Sequence, residues 1–350
     1  MINNNPKVTV IMPVYNSAKY LPAALDSVLA QTLQDFEVVA VNDGSTDDSL
    51  AVLERYAARD PRVRFATQKN AGIAAARNAA AALAKGRYIA THDDDDVFHP
   101  VRLEKQAAIL DARPDLAAVF CRSLVADENL KPIGGMKIPA DPRVLRQRLQ
   151  RGNVLQQSCM VRREVFEKIG GYREALMLSE DFDFNLRLLE AGEILCMPEA
   201  YHIYRRHSGQ TSVVRKASMP PYNALVRTFA MERRLRGRDS YVEFSKVRDV
   251  REFARDYEFR GYFYYWAGRR ALWYLLLPDA RAYIREAWKG GYRTFGAAWV
   301  YAKSLLPPVV LKACTLAYRR LVTRRWSWKI PPYIIEMLSS QNGRQATMDK

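Results

Sequence analysis

Val8-Thr9-Val10-Ile11-Met12-Pro13-Val14-Tyr15-Asn16 is the stretch on which the fold turns. Its first seven residues form an apolar run with little alternation, the pattern of a strand covered on both faces. A helical pattern follows from residue 18 to about 31, and the cycle then repeats. Strand 36–42 leads to a helix opening at Asp47, strand 62–67 to an Ala-rich helix over 71–85, and strand 87–91 to a helix opened by His99-Pro100. Strands alternating with helices imply an α/β fold with a mostly parallel sheet and right-handed crossovers. Ligands of such sheets sit beyond the carboxyl ends of the strands. Those ends are where chemistry is to be sought.

Three strand ends carry residues suited to it. The first ends in Tyr15-Asn16, the second in Asn42-Asp43-Gly44-Ser45, the fourth in His92-Asp93-Asp94-Asp95-Asp96. Four successive carboxylates repel one another, and a divalent cation offsets that charge. Mg²⁺ and Mn²⁺ favour oxygen ligands, and Mg²⁺ typically takes one or two carboxylates plus substrate phosphates. The plainer alternative is a solvated acidic loop with Asp96 capping the next helix. Gly44 suits a tight turn and Ser45 or Thr46 a helix cap, which leaves Asp43 free to accept a hydrogen bond from a base N–H. Tyr15 is placed to stack on a flat ring or to be an ordinary surface aromatic.

Four motifs, in order and at matching spacing, closely resemble family 2 glycosyltransferases. They are Val10 to Asn16, Asn42-Asp43-Gly44-Ser45-Thr46-Asp47, Ala75-Ala76-Arg77-Asn78 and Asp93-Asp94-Asp95-Asp96. The resemblance is strong over about residues 7–110 and weaker to about 212. It implies the GT-A fold, a Rossmann-like, mostly parallel sheet flanked by helices, here with a C-terminal helical extension. By resemblance Pro13, Tyr15, Asn16, Asp43, Arg77, Asp93 and Asp94 would form the nucleotide site. Tyr15 would stack on uracil, Asp43 would bond its N3–H, Arg77 would contact the nucleotide, and Asp93 the ribose or sugar. Asp95 would hold Mn²⁺ or Mg²⁺ against the diphosphate. The family usually has a non-acidic second residue in this motif, so the tetra-Asp run leaves its register open by one residue.

Ser158 to Arg163, Gly170-Gly171-Tyr172 and Ser179-Glu180-Asp181 resemble the family's acceptor-side segment. The implied reaction is inverting transfer from a UDP-sugar to a hydroxyl of a saccharide or lipid-linked saccharide, with Asp181 as general base. Acidic residues in a first helical turn also serve the helix dipole, which is the structural alternative for Glu180 and Asp181; Asp183 reads as structural or acceptor-binding. Tyr204 to Ser212 resembles the loop that closes over the diphosphate, and brings Arg206 and His207, the latter as a metal or pyrophosphate contact. His92, His99 and His202 read as structural.

The rest of the 350 residues follows a different rule. Residues 1–214 hold 27 basic and 27 acidic side chains, so the formal charge of +16 lies wholly in residues 215–350. The organisation expected is a catalytic region over 1–214, with its nucleotide half over about 1–110 and its acceptor half over 111–214, a basic aromatic-rich helical region over 215–338, and a tail over 339–350. Loops fill 127–143, a basic amphipathic piece 144–150, and helices everything from about 217, with a break at Pro307-Pro308. Aromatic clusters such as Tyr262 to Trp266 and Trp326-Ser327-Trp328 either pack as a core or meet an anionic membrane surface. The N-terminus lacks the features of a signal peptide and no stretch is long enough to span a bilayer. Four scattered cysteines suit a reduced, cytoplasmic setting.

Three other classes fit less well. A nucleic-acid-binding protein would use the basic part, but the neutral N-terminal half with its Asp cluster argues against phosphate contact there. A nucleotidyltransferase usually places a Gly-rich loop after its first strand, and Pro13-Val14-Tyr15-Asn16 is not one. A dinucleotide oxidoreductase needs GxGxxG at that place.

Overall fold

A computed structural model describes residues 5–311 apart from Lys137 and Gln156. Two compact units divide at His207 and Ser208. Cys314, the Trp326–Trp328 cluster and the 339–350 tail lie outside the described residues.

The first unit runs β1 (Val8–Val14), α1 (Leu21–Leu29), β2 (Phe36–Asn42), α2 (Ser49–Arg59), β3 (Val63–Thr67), α3 (Ile73–Ala82), β4 (Tyr88–Thr91), β5 (Val97–Phe98) and α4 (Arg102–Ala112). It continues through β6 (Leu116–Ala126), β7 (Pro132–Gly135), α5 (Pro142–Arg151), β8 (Met160–Arg162), α6 (Arg163–Lys168), α7 (Glu180–Ala191) and β9 (Glu193–Arg205). All nine strands form one sheet in the order β3-β2-β1-β4-β8-β6-β9-β5, with β7 on β6. Strands β1 to β4 pair in parallel, whereas β8 runs antiparallel to both β4 and β6.

Every residue of β1 and β2 is buried. Val8, Val10, Met12 and Val14 pack with Leu21, Leu25 and Val28 of α1, Leu53 and Tyr56 of α2, and Leu103 and Leu110 of α4. The alternate residues Ile11, Val39 and Val41 are buried too, and α3 packs on β1 and β2. Double coverage explains the unbroken apolar run. Pairing with β4 stops at Ile11 opposite Thr91, so Pro13 falls where one edge of β1 has no ladder for its missing N–H to break. Beyond Thr91 the chain leaves the sheet, and the four aspartates form the turn between β4 and β5.

The 127–143 segment is not all loop, since it contains β7. Its two glycines gave no alternation from which a strand could be read. Helix α4 opens at Arg102 with Val101 at its N-cap, so Asp96 does not cap it.

The second unit is helical among the described residues: α8 (Thr211–Val214), α9 (Met219–Arg236), α10 (Tyr241–Val247), α11 (Val250–Arg255), α12 (Arg260–Trp273), α13 (Leu277–Lys289) and α14 (Phe295–Ser304). Tyr265, Ile284, Ala287, Ala297 and Val300 make a core against which Tyr264 and Trp266 pack, and Phe263 is buried. The Tyr262 to Trp266 cluster therefore belongs largely to the interior. No described helix is long and apolar enough to cross a membrane.

Candidate active site

The ends of β1, β2 and β4 lie together because those strands are neighbours. Asp43 is buried there, and its carboxylate is largely engaged. Oδ1 accepts from Gln68 Nε2 at 2.7 Å and Ala71 N at 2.9 Å, and Oδ2 accepts from Gly72 N at 2.9 Å. Asp43 thus closes the loop between β3 and α3 instead of standing free. A carboxylate offers roughly four lone-pair sites, so Oδ2 keeps capacity for one further donor. Gly44 holds φ at 71°, and a Cβ there would meet Asn70 N at 2.8 Å.

Tyr15 exposes half of its ring, while its backbone N–H donates to Asp94 Oδ2 at 2.9 Å. Asn16, at φ 51°, donates its N–H to Ser45 Oγ at 3.0 Å, and its Oδ1 accepts from Thr46 N at 2.8 Å. The amide of Asn16 therefore splices the first strand end to the second. Pro13 is buried and can offer a ligand only backbone shape.

The four aspartates divide by direction. Asp94 turns back toward β1, taking Tyr15 N and the Ser17 hydroxyl. Asp93, Asp95 and Asp96 bring ligand oxygens within 4.8 Å of one another. Asp93 accepts from Arg77 Nη2 at 2.7 Å, and His207 Nε2 lies 2.9 Å from Asp95 Oδ2. Asp96 accepts from Arg205 N at 2.9 Å and faces His202 Nε2 at 3.0 Å, deep in the sheet. His202 in turn bonds the buried Ser123 hydroxyl. Burial, with the neighbouring aspartates, raises Asp93 and Asp96 above the usual carboxylate range and pushes Asp94 up to about 8.

These groups fit a divalent cation. Several oxygens and one imidazole converge, and the four aspartates outnumber the guanidinium groups of Arg77 and Arg205 beside them. Such oxygen-rich sets suit Mg²⁺ or Mn²⁺. Asp93, Asp95, Asp96 and His207 are the residues that could hold it.

The acceptor-side segment meets this turn through one guanidinium. Arg77, fully buried on α3, donates to Asp93 on one side and from Nη1 to Glu180 Oε1 at 2.9 Å on the other. The resemblance implies a nucleotide contact for Arg77; the structure sets its guanidinium between two carboxylates. Ser179 takes φ 64° at the N-cap of α7, so Glu180 and Asp181 open the helix in sequence. Asp181 accepts from Asn153 Nδ2 at 2.6 Å on Oδ2 and from Phe182 N at 2.7 Å on Oδ1. Burial raises its pKa, and burial together with Asp181 pushes Glu180 up to about 7. Asp183 is fully buried against Arg187 and Arg173. Arg206 donates its backbone N–H to Ala126 O at 2.8 Å and leaves its side chain exposed.

A family model described as glycosyl transferase family 2 matches residues 9–170. A Bacillus subtilis protein named as a glycosyltransferase, EpsE, is 33% identical over 198 residues, covering 55% of this chain and 69% of its own length. This chain belongs to glycosyl transferase family 2. Chondroitin synthase of Pasteurella multocida is 29% identical over 254 residues, which is 72% of this chain but only 26% of the synthase. The chain thus spans about a quarter of that relative's length. Among solved structures, S. aureus TarS 1-349 in complex with UDP aligns with a TM-score of 0.54 at 19% identity, covering 85% of this chain and 90% of TarS 1-349. Mannosyltransferase PcManGT from Pyrobaculum calidifontis, in complex with GDP-Man and Mn²⁺, aligns with a TM-score of 0.51 at 19% identity, over 93% of this chain and 88% of the other. These likenesses share the GT-A fold seen here, a parallel-dominated sheet with flanking helices and C-terminal helices.

Two residues that contact the candidate site carry little signal in the sequence. Asn153 lies 28 positions before Asp181, in a loop with no periodic pattern. Arg205 is marked only by alternation along β9, which buries Ile203 and Arg205 together, while Arg206 beside it is exposed. Its Nε donates to Asp95 O at 2.7 Å, which fixes the backbone of the acidic turn.

Proposed function

We propose that this family 2 member is an inverting glycosyltransferase that moves a sugar from a UDP-sugar to a hydroxyl of a saccharide or lipid-linked saccharide. The observation that carries the proposal is the Asp93–Arg77–Glu180 bridge, which sets the acidic turn beside the first turn of α7, where Asp181 stands. A donor diphosphate and an acceptor hydroxyl need those two groups side by side.

Asp181 is the general base. Its two oxygens already accept from Asn153 and Phe182, which fixes the carboxylate while leaving lone pairs for the acceptor O–H. As the acceptor oxygen bonds to the anomeric carbon, its proton passes to Asp181 and the bond to the diphosphate oxygen breaks. The transition state resembles the oxocarbenium ion of glycoside hydrolysis. Tyr15 supplies a half-exposed ring for the uracil, and the remaining acceptor site on Asp43 Oδ2 matches one base N–H. Asp94 and Asn16 shape that pocket through the backbone they hold, and Asp93 contacts the ribose or sugar. Arg206, exposed at the end of β9, and Glu180 border the diphosphate and the acceptor. Asp95, with Asp93, Asp96 and His207, would hold Mn²⁺ or Mg²⁺, which when bound neutralises charge developing on the departing diphosphate.

The chain works at the cytoplasmic face of a membrane, in polysaccharide assembly. Supporting this are the basic excess of residues 215–350 and the exposure of Trp273, Phe295, Trp299 and Val309 on the helical unit. Flotation with anionic liposomes at low salt, lost at high salt, is the expected behaviour; no flotation sinks the membrane assignment.

Donor choice is tested by thermal shift and hydrolysis with UDP-, GDP- and dTDP-sugars and Mn²⁺. Stabilisation by UDP-sugars above the others supports the proposal. A response confined to GDP-sugars overturns the uracil assignment, and no response to any overturns the whole.

A further inference from the structure

We propose that the helical unit carries a phosphate-binding site between α9 and α12, with Arg227 at its base and Arg269 and Arg234 at its edge. This site does not depend on the glycosyl-transfer assignment. Arg227, on α9, is only 8% exposed. Its guanidinium carbon lies 3.4 Å from the centre of the Trp266 ring on α12, and that of Arg269, less than one turn along α12, lies 4.6 Å from the same ring.

What distinguishes this cluster is the donors left over. Nε and Nη1 of Arg227, Nε of Arg270 and the indole N–H of Trp266 are buried and have no hydrogen-bond acceptor. Buried polar groups are almost always satisfied, so several on adjoining side chains ask for a partner. Tyr262 hydrogen-bonds the Arg227 side chain, but neither α9 nor α12 gives it a carboxylate. Helix α12 contains no acidic residue, and the one acid of α9, Glu232, accepts from the N–H and hydroxyl of Ser240. Among the described residues, no ion pair involves Arg227, Arg234, Arg269 or Arg270.

Burial lowers the pKa of Arg227 to about 10, with Arg269 and Arg234 acting in the same direction. It nonetheless stays charged at neutral pH. A guanidinium held flat against an aromatic ring is suited to an oxyanion, which accepts a charge-assisted N–H bond and supplies the missing negative charge. Arg234 and Arg269 are exposed, so the edge of the cluster meets solvent. A phosphate group reaches it either on a soluble acceptor or as a phospholipid headgroup.

The test uses the full chain. Inorganic phosphate, titrated at constant ionic strength against chloride, raises the melting temperature saturably and gives a calorimetric binding curve. Arg227→Gln weakens that binding about tenfold or more, as loss of a charge-assisted hydrogen bond implies. Because the buried variant risks misfolding, Arg269→Gln is the second probe. It weakens phosphate binding several-fold while the circular dichroism spectrum and UDP affinity stay at wild-type values. Vesicles of phosphatidylglycerol that compete with phosphate, where phosphatidylcholine does not, support the site with a headgroup as its ligand. Phosphate binding without such competition supports it with a soluble ligand. A phosphate effect no larger than that of chloride overturns the proposal, as does unchanged affinity in a folded Arg269→Gln protein.

Discussion

Arg77 Nη1 donates to Glu180 Oε1 across 2.9 Å, joining a helix of the N-terminal strands to the first turn of α7. The two residues stand 103 positions apart in the chain. The same guanidinium also holds Asp93, so a single buried cation fixes the separation between the acidic turn and the α7 carboxylates. Its aromatic neighbour Tyr172 lies 5.1 Å from the guanidinium carbon, which further restricts it.

Removing that cation leaves two carboxylates without their charge partner. Breaking a buried ion pair by deleting one member typically costs about 3–5 kcal/mol. Arg77→Met should lose stability of that order in urea unfolding. Arg77→Lys keeps the charge but cannot fork to both carboxylates, so it should fall between. A loss below about 1 kcal/mol for the Met variant, within the range of exposed pairs, would show the bridge to be dispensable.

Asp181→Asn keeps the shape of the site and removes the proposed base. Transfer should drop by about 10²–10⁴, while UDP-sugar affinity by calorimetry stays within a few-fold. Normal turnover in this variant contradicts the assignment of the base.

The pH profile gives a separate reading of the same group. A base works ionised, so kcat/KM should rise with pH through the pKa of Asp181, which burial holds above the usual carboxylate value. The Asn153 amide donates to Oδ2 and pulls that pKa down. Asn153→Ala should therefore move the acidic limb to higher pH with a smaller change at the plateau. An unmoved limb would mean that Asn153 packs without tuning the base.

The residues legible in the sequence were those whose neighbours in the chain carry the signal. The apolar run of β1 and the acidic run after β4 placed the sheet and its candidate site, because each is a local pattern with one dominant physical cause. Direction within a run was not legible. Four identical aspartates differ only in where the turn aims them, and the structure sends Asp94 toward Ser17 and the others inward or toward His207. Long-range partners were equally hidden: no pattern near Arg77 announces Glu180, and nothing around Asn153 announces Asp181. Asp43 was singled out correctly as a strand-end carboxylate, but its engagement by Gln68, Ala71 and Gly72 depends on how the β3–α3 loop folds back.

That engagement has a consequence for substitution. Asp43→Asn places an amide N–H₂ where a carboxylate oxygen met the N–H of Ala71 or Gly72, and losing one hydrogen bond to a charged group costs about 1.5–3 kcal/mol. The variant should melt earlier and bind UDP at least about tenfold more weakly, since the loop and the base site share this side chain. Wild-type UDP affinity in a protein that has lost stability would separate the two roles and assign Asp43 to the loop alone.

The convergence of Asp93, Asp95 and Asp96 makes cation binding measurable without turnover. Their oxygens lie within 4.8 Å of one another, and burial already disfavours the ionised forms of Asp93 and Asp96. A bound divalent ion removes that repulsion, so Mn²⁺ should raise the melting temperature in proportion to the logarithm of its concentration above Kd. Asp95→Asn should abolish the rise. His207→Ala should weaken it, because the imidazole touches Asp95 and its ring packs 4.5 Å from Tyr20, which orients it. Arg205 holds the backbone of Asp95 from the other side, so Arg205→Ala should also lower Mn²⁺ affinity while sparing all the carboxylates. Full transfer activity in EDTA, together with no thermal response to Mn²⁺ or Mg²⁺, would leave the acidic turn with a structural role only.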